Sequence, residues 1–541
     1  MMRAFTLLLF GLALSAMPLA ATDTYPRQQG VDVQHYRFAL ALNDSTDEIA
    51  GETTVTVRFT KTGLTGFFLD LATTASGKGM TVTGVTSDSA ALRYTHAGNH
   101  LTIALPTVTR AGELRRFTIL YHGVPAGGLY IGLNRYKERA FFSWNWPDKA
   151  RQWLPMIDHP SDKATSEFVI TAPARYAVVA DGLLQEEALL GDGRKLTHWK
   201  QSVPIASWLN AIGVEQFAVH HAGMVKGVEL QTWVAHQDRD NGITTFEEPA
   251  RQAMEFYSEH IGPYSYEKLA NVSAAFGGGG TEHASAIFYG EKVVSNVPAT
   301  AIVAHEVAHQ WFGDSITESD WDDAWLSEGF ATYFTLLFTE HYSGRDAFVA
   351  GLVRARATAL GAEKRLNEPV VHRNISDLRG VIPPLVYQKG GWVLHMLRAQ
   401  LGTDTFWNGV REYYARYRNS NASTDDLRRV MEEVSGQKLD WFFDQWLNRN
   451  MSPSLDGRWS YDTAAKKISI DLAQTQAGAA YRLPLEIEIL GDSAGVAPQI
   501  TKVEMTALKQ HFDIPANRAP KDVVLDPNTW VLMNPPSFVK R

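Results

Sequence analysis

At 541 residues the chain is long enough for several hydrophobic cores, about three or four domains. Its 45% hydrophobic and 20% charged residues match a soluble globular protein, and a formal net charge of −8, with no basic run, argues against a nucleic-acid partner. There is no cysteine, so disulfides and a cysteine-linked lipid anchor are excluded and stability must come from packing.

The first residues read as an export signal, assigned to residues 1–21. Arg3 is the positive flank, residues 4–16 are almost wholly apolar, and the small pair Ala20-Ala21 offers a cleavage site. The alternative is an uncleaved anchor, but the apolar stretch is short for a spanning helix and Pro18 interrupts it. No other stretch is long and apolar enough to span a bilayer. A cysteine-free exported chain fits a bacterial periplasm or culture fluid.

Residues 22–218 read as a β-sandwich-like domain. Tyr36, Phe38, Leu40 and Leu42 alternate with the smaller or polar Arg37, Ala39 and Ala41, and after a turn at residues 43–47 Val55, Val57 and Phe59 alternate with Thr54, Thr56 and Arg58. Two such runs are half-buried antiparallel strands. Residues 151–165, with two prolines and mixed charges, read on their own as a structural corner.

The character changes at about residue 219, and residues 219–451 are expected to form a second domain. Residues 246–260 read as a helix stopped by Gly262-Pro263, followed by a strand at about residues 269–275. The run Phe276-Gly277-Gly278-Gly279-Gly280-Thr281-Glu282-His283 then brings a backbone close to something, or simply makes a flexible turn. A helix follows shortly, with Pro298 suited to its first turn and Gly313 to its end.

On that helix lies His305-Glu306-Val307-Ala308-His309. Positions four apart share one helix face, so two imidazoles can point at one metal ion with Glu306 beside them. A catalytic zinc takes three protein ligands and keeps one position open. Glu328, on a second helix beginning near Trp321-Asp322-Asp323, can supply the third. Two histidines and a glutamate make the ligand set of a hydrolytic zinc site, with one Zn²⁺ per chain. A glycine-rich loop this close to the metal probes the same cleft, and Glu282 there is a carboxylate too costly to leave beside a dication without a task.

The helical pattern continues through Tyr387-Gln388-Lys389-Gly390, residues 403–418, a helix capped at Ser423, and residues 440–448. His283, His341, His372 and His395 are assigned no metal. Met451-Ser452-Pro453 marks a boundary, and residues 452–541 return to period two, with Ile468, Ile470 and Leu472, then Leu483, Leu485, Ile487 and Ile489. Pro484 points to an edge strand there.

With these residues laid out, the chain resembles the zinc aminopeptidases of the gluzincin clan, the family of aminopeptidase N and leukotriene hydrolase. The resemblance is carried by His305-Glu306-x-x-His309 with Glu328 in Trp325-Leu326-Ser327-Glu328-Gly329. Gly279-Gly280-Thr281-Glu282-His283 stands at the exopeptidase motif, and Tyr387-Gln388-Lys389-Gly390 at the catalytic-tyrosine motif. Residues 151–165 and 204–209 resemble the family's N-terminal domain. The family implies a multidomain α+β architecture: an N-terminal β-sandwich-like domain, a thermolysin-like α/β zinc catalytic domain and, here, a small C-terminal β-sandwich.

The resemblance also implies roles. His305, His309 and Glu328 hold Zn²⁺, Glu306 is the general base, and Tyr387 stabilises the oxyanion. Glu282 pairs with the free α-ammonium of a peptide substrate, within a subsite completed by Gly279, Gly280, Thr281 and His283. There are departures. Thr281 and His283 stand where methionine and asparagine are usual, Trp144-Asn145-Trp146 where a glutamine is common, and Thr335 where a glutamate is common. An endopeptidase or epoxide hydrolase on the same scaffold, or a binding protein that kept the fold, are the alternatives.

Overall fold

The computed structural model describes residues 23–491 and 498–541, so the export signal lies outside the described residues. The N-terminal region is built on an eight-stranded sheet. Its central strands are Val31–Ala41, Ile49–Phe59, Glu113–Val124, Ala164–Pro173 and Arg194–Ile205. Val31–Ala41 pairs antiparallel with Ile49–Phe59 and parallel with Ala164–Pro173. The alternation of the sequence becomes a face: Phe38, Leu40, Val55, Val57 and Phe59 are buried together in one core. Three- and four-stranded sheets complete this all-β body.

The next sheet has five strands: Phe217–Val225, Val228–Ala235, Lys268–Ala274, Gly280–Thr281 and Ala286–Gly290. Lys268–Ala274 is buried along its whole length and pairs parallel on both sides. Its side chains serve two cores alternately. Leu269 joins the core shared with the helices, while Ala270, Val272 and Ala274 join the core of the N-terminal region. Ile287 and Tyr289 face one way, Ala286 and Phe288 the other. This sheet is therefore the wall through which the two regions are packed.

Among the described residues eight α-helices follow or interleave: α1 Arg239–His260, α2 Thr300–His309, α3 Trp325–Ser343, α4 Arg345–Leu366, α5 Gly390–Leu401, α6 Thr403–Tyr417, α7 Thr424–Ser435 and α8 Asp440–Leu447. α1 starts seven residues before the expected position and carries Pro249 inside it, where buried Phe246 and Ala250 hold it against the core. α2 starts at Thr300, beyond Pro298. The segment Leu385–Lys389 is a π turn rather than the opening of an α-helix. Ser423 caps α7 in a reciprocal capping box with Asp426.

The C-terminal region consists of a four-stranded and a three-stranded sheet, and its Ile468, Ile470, Leu483 and Leu485 belong to the same continuous core as the helices. Pro484 does not lie on an edge strand. Leu483–Leu490 is the middle strand, but its second neighbour reaches only Ile487, so Pro484 faces a side where no donor is needed.

Charged groups pin the N-terminal region to the connection between α2 and α3. The Lys163 ammonium donates to Asp314 O at 2.8 Å, Ser315 O at 2.9 Å and Thr317 Oγ1 at 3.0 Å. Asp23 accepts from His159 at 2.7 Å and from Trp321 N at 3.0 Å, and Arg27 pairs with Asp320 at 2.8 Å. The loop at residues 151–165 is thus a docking element. Within it Arg151 Nε donates to the fully buried Asp158 carboxylate at 3.1 Å, and burial pushes Asp158 up to about 6 against the pull of that guanidinium. Replacing Arg151 strands a buried carboxylate. Arg151→Met is expected to lower stability by about 3 kcal/mol, read as an earlier urea unfolding midpoint. An unchanged midpoint would show that water substitutes fully for the guanidinium.

Candidate active site

α2 buries Val303, Ala304, Val307 and Ala308 in the core. That anchorage fixes the rotation of the helix and with it the direction of His305, Glu306 and His309. α3 packs against α2 and carries Glu328 in its first turn. The three side chains converge. His305 Nε2 stands 3.5 Å from Glu328 Oε2, His309 Nε2 3.3 Å from the same oxygen, and the two imidazole nitrogens 3.3 Å from each other.

These separations fit a metal ion. Ligands at zinc's usual distance of about 2.0–2.1 Å in a tetrahedron lie about 3.3 Å apart. Glu328 Oε2 is buried and has no hydrogen-bond partner, as an atom reserved for a cation would be. The surrounding charge agrees, because Glu282 and Glu306 add two further buried carboxylates, and each places an oxygen within 4.8 Å of a His309 nitrogen. Burial first, then the neighbouring Glu282, holds Glu306 well above the usual carboxylate range. Glu328 behaves oppositely: burial resists its ionisation, but His309 and His305 outweigh that and hold it at about 2.

The ligand orientation is itself supported. His309 Nδ1 lies 3.1 Å from Ser327 Oγ and 3.2 Å from Phe312 O. An N–H donated on that side leaves the Nε2 lone pair free for the metal. Gly313, at φ +113°, makes room for this contact, since a Cβ there would stand 2.4 Å from Ser327 Oγ. Ser327 was not singled out in the sequence; its place immediately before Glu328 is the one available hint.

The glycine-rich loop meets the same cluster. Gly280–Thr281 pairs with the strand Ala286–Gly290, and a Cβ on Gly280 would fall 2.3 Å from Glu306 Oε1. Only glycine lets the strand pass that close to the carboxylate. Gly279 adopts φ +97° just before it, and Thr281 is buried.

Gln310, next after His309, locks the loop to α2. Its amide donates to Glu282 O at 2.9 Å, His283 O at 3.3 Å and Asp314 Oδ2 at 2.6 Å, and its oxygen accepts from Ser285 N at 2.9 Å and the Tyr264 hydroxyl at 3.0 Å. This residue too escaped sequence reasoning, because its partners come from distant parts of the chain. Tyr387 closes the cluster from the other side. Its ring stacks at 6.3 Å on His305, and burial together with the Glu328 carboxylate beside it holds the phenol proton on.

His283 does not join them. Its ring is fully buried, packs edge-on against Phe288 at 4.9 Å and lies beside the main chain of Ser143, Trp208 and Leu209, with neither ring nitrogen in hydrogen-bond range of a partner. Thr335 turns its hydroxyl back to Ala331 O at 2.7 Å on its own helix. His395 is a packing residue between Tyr333 and Thr529 O.

Comparison with known proteins places this geometry. Residues 32–209 match the peptidase M1 N-terminal domain and residues 246–446 the peptidase family M1 domain. Aminopeptidase A of Gloydius brevicauda is 28% identical over 57% of this chain and 34% of its own length. Tricorn protease-interacting factor F2 of Thermoplasma acidophilum is 27% identical over 59% of this chain and 42% of its own. The chain thus spans between about a third and two fifths of the length of these relatives. The M1 zinc metallopeptidase of Deinococcus radiodurans superposes with a TM-score of 0.66 at 26% identity, covering 79% of this chain and 95% of that one. A mutant of that protein bound to a Tyr-Ser-Ala substrate gives 0.67 over 78% and 95%.

His283 carries a measurable consequence. Burial lowers it from 6.5 to about 4, so the folded protein disfavours its protonation. Its contribution to stability is complete above pH 6.5 and is lost as pH falls toward 4, roughly 3 kcal/mol in all. Urea midpoints of the wild type should therefore drop across that interval more steeply than those of His283→Asn. Parallel curves would show that the ring is hydrated in the folded state.

Proposed function

The chain belongs to peptidase family M1, and from that premise we propose that it is an exported zinc aminopeptidase, releasing residues one at a time from the free N-terminus of peptides. One observation carries this reading: the Glu282 carboxylate shares a cluster with Glu306 and His309. An anchor for an α-ammonium so near the general base leaves room for a single residue before the bond that is cut. The aminopeptidase names of the relatives support it, as does the peptide bound by the Deinococcus radiodurans mutant.

His305, His309 and Glu328 would hold the zinc, one per chain. When bound, zinc supplies Lewis acidity and brings the pKa of water down toward about 7. Glu306 takes a proton from the attacking water and returns it to the leaving amine, as its burial and raised proton affinity suit it to do. Tyr387 retains its phenol proton and donates to the carbonyl oxygen as negative charge develops there. Glu282 pairs with the substrate ammonium and fixes which peptide bond is presented. Gly279, Gly280 and Thr281 line that subsite as backbone, and His283 supports it from behind.

Export rests on Arg3, the apolar residues 4–16 and the Ala20-Ala21 pair. Among the described residues no helix is long and apolar enough to cross a membrane. The division into residues 22–218, 219–451 and 452–541 belongs to the same reading, the first two for substrate enclosure and chemistry.

The test uses one peptide in two forms, free and N-acetylated, followed by mass spectrometry. Stepwise loss of single residues from the free form alone is expected; internal cuts in both forms would identify an endopeptidase. Glu306→Gln should retain zinc by metal analysis while kcat falls by about a thousandfold. Full activity in that variant would rule out the assigned base. Removing zinc with a chelator should abolish turnover and lower the unfolding midpoint, and added zinc should restore both.

A further inference from the structure

Tyr387 sits on the π turn Leu385–Lys389, immediately before α5. A π turn winds the chain more slowly than an α turn, so the direction of its side chains depends on how its ends are held. At the α5 end the backbone is pressed against α3: a Cβ on Gly390 would meet Gly329 Cα at 3.1 Å, one residue after Glu328.

The other restraint is Lys389, only 1% exposed. Its ammonium lies 2.9 Å from Glu363 Oε1 on α4 and donates to Arg449 O at 2.9 Å. Glu363, equally buried, accepts from Ser452 N at 3.0 Å and from Ser452 Oγ at 2.7 Å. Arg449 and Ser452 lie on the connection between α8 and the C-terminal sheets. Arg449 donates to Ala480 O at 3.1 Å and stacks over Tyr481 at 4.7 Å.

An enclosed lysine–glutamate pair is a poor stability device. Stripping both ions of water is costly, and a well-packed apolar pair of similar volume serves as well or better. What the pair provides is a short, directional link between the Tyr387 turn, α4 and the entry to the C-terminal region.

We propose that Lys389 is a positioning residue for Tyr387, and that the C-terminal sandwich, acting through Arg449, Ser452 and Glu363, is part of the catalytic unit. This rests on the reading of Tyr387 as the oxyanion donor. The link fixes the height of the turn over His305 and Glu328, and the sandwich fixes the link.

The test measures kcat, KM and unfolding midpoints on the full zinc-loaded chain for Lys389→Met, Glu363→Leu and the double variant. Each single substitution strands a partner and should lower the midpoint. The double variant should return the midpoint close to wild type while kcat stays reduced by on the order of tenfold to a hundredfold. KM and the preference for a free over an acetylated peptide should hold within about twofold. In a Tyr387→Phe background the same double substitution should cost less than about twofold more, because both changes remove one interaction.

A double variant with wild-type midpoint and wild-type kcat would overturn the proposal, and so would a full, additive loss in the Tyr387→Phe background. Should the double variant not fold, Ser452→Ala is read the same way: a lowered kcat at constant KM supports the link, and an unchanged kcat overturns it. Wild-type cleavage of the acetylated peptide would instead count against the aminopeptidase reading, and an unchanged kcat in Tyr387→Phe alone against the role of that tyrosine.

Discussion

Five carboxylate and imidazole groups beside one helix end, nearly all shut off from water, form an arrangement that cannot persist on its own terms. Glu282, Glu306 and Glu328 converge on His305 and His309, and the ligand atoms of the last three approach within 3.5 Å. The Glu282 and Glu306 carboxylates, with oxygens within 4.8 Å of each other and buried, repel strongly unless a cation or protons intervene. The site is stable to the extent that something positive occupies its centre, and the rest of the molecule is organised to hold the groups in place until it does.

Each region of the chain contributes one restraint. α2 and α3 carry His305, His309 and Glu328, and their packing sets the spacing of these three side chains. The N-terminal region closes over the glycine-rich loop, with the main chain of Ser143, Trp208 and Leu209 against His283. Gln310 then ties that loop back to α2. The C-terminal region reaches the opposite side through the link at Lys389 and Glu363. The continuous core running from the helices into the C-terminal sheets makes these attachments rigid, since close-packed interiors transmit displacement instead of absorbing it.

The five-stranded sheet explains how two bodies with separate cores act together. Lys268–Ala274 and Ala286–Gly290 send alternate side chains to opposite sides, so neither core can shift without moving the strand beside Glu282. The Lys163–Asp314, Asp23–Trp321 and Arg27–Asp320 contacts also cross between the two bodies. A loop that reads in isolation as a corner with two prolines proves to be a fastening, because its partners are remote in sequence.

Local pattern determined a good deal. The period-two runs at Tyr36–Leu42 positions and at Ile468, Ile470 and Leu472 could only be strands with one buried face, and the four-residue spacing of His305 and His309 could only place both imidazoles on one side of a helix. Ser423 marked a helix start through its own side chain. Pro484 misled because proline excludes a donor at one residue, whereas edge or centre is a property of the whole strand. What tertiary structure alone decided was every contact between residues far apart in the chain. These include the rotation of His283 away from the cluster, the five hydrogen bonds of Gln310, the Ser327 support of His309 and the buried pair beneath Tyr387. Periodicity and motifs report on neighbours within a turn or a strand; which distant partner satisfies a buried amide or ammonium is settled only when the cores close around it.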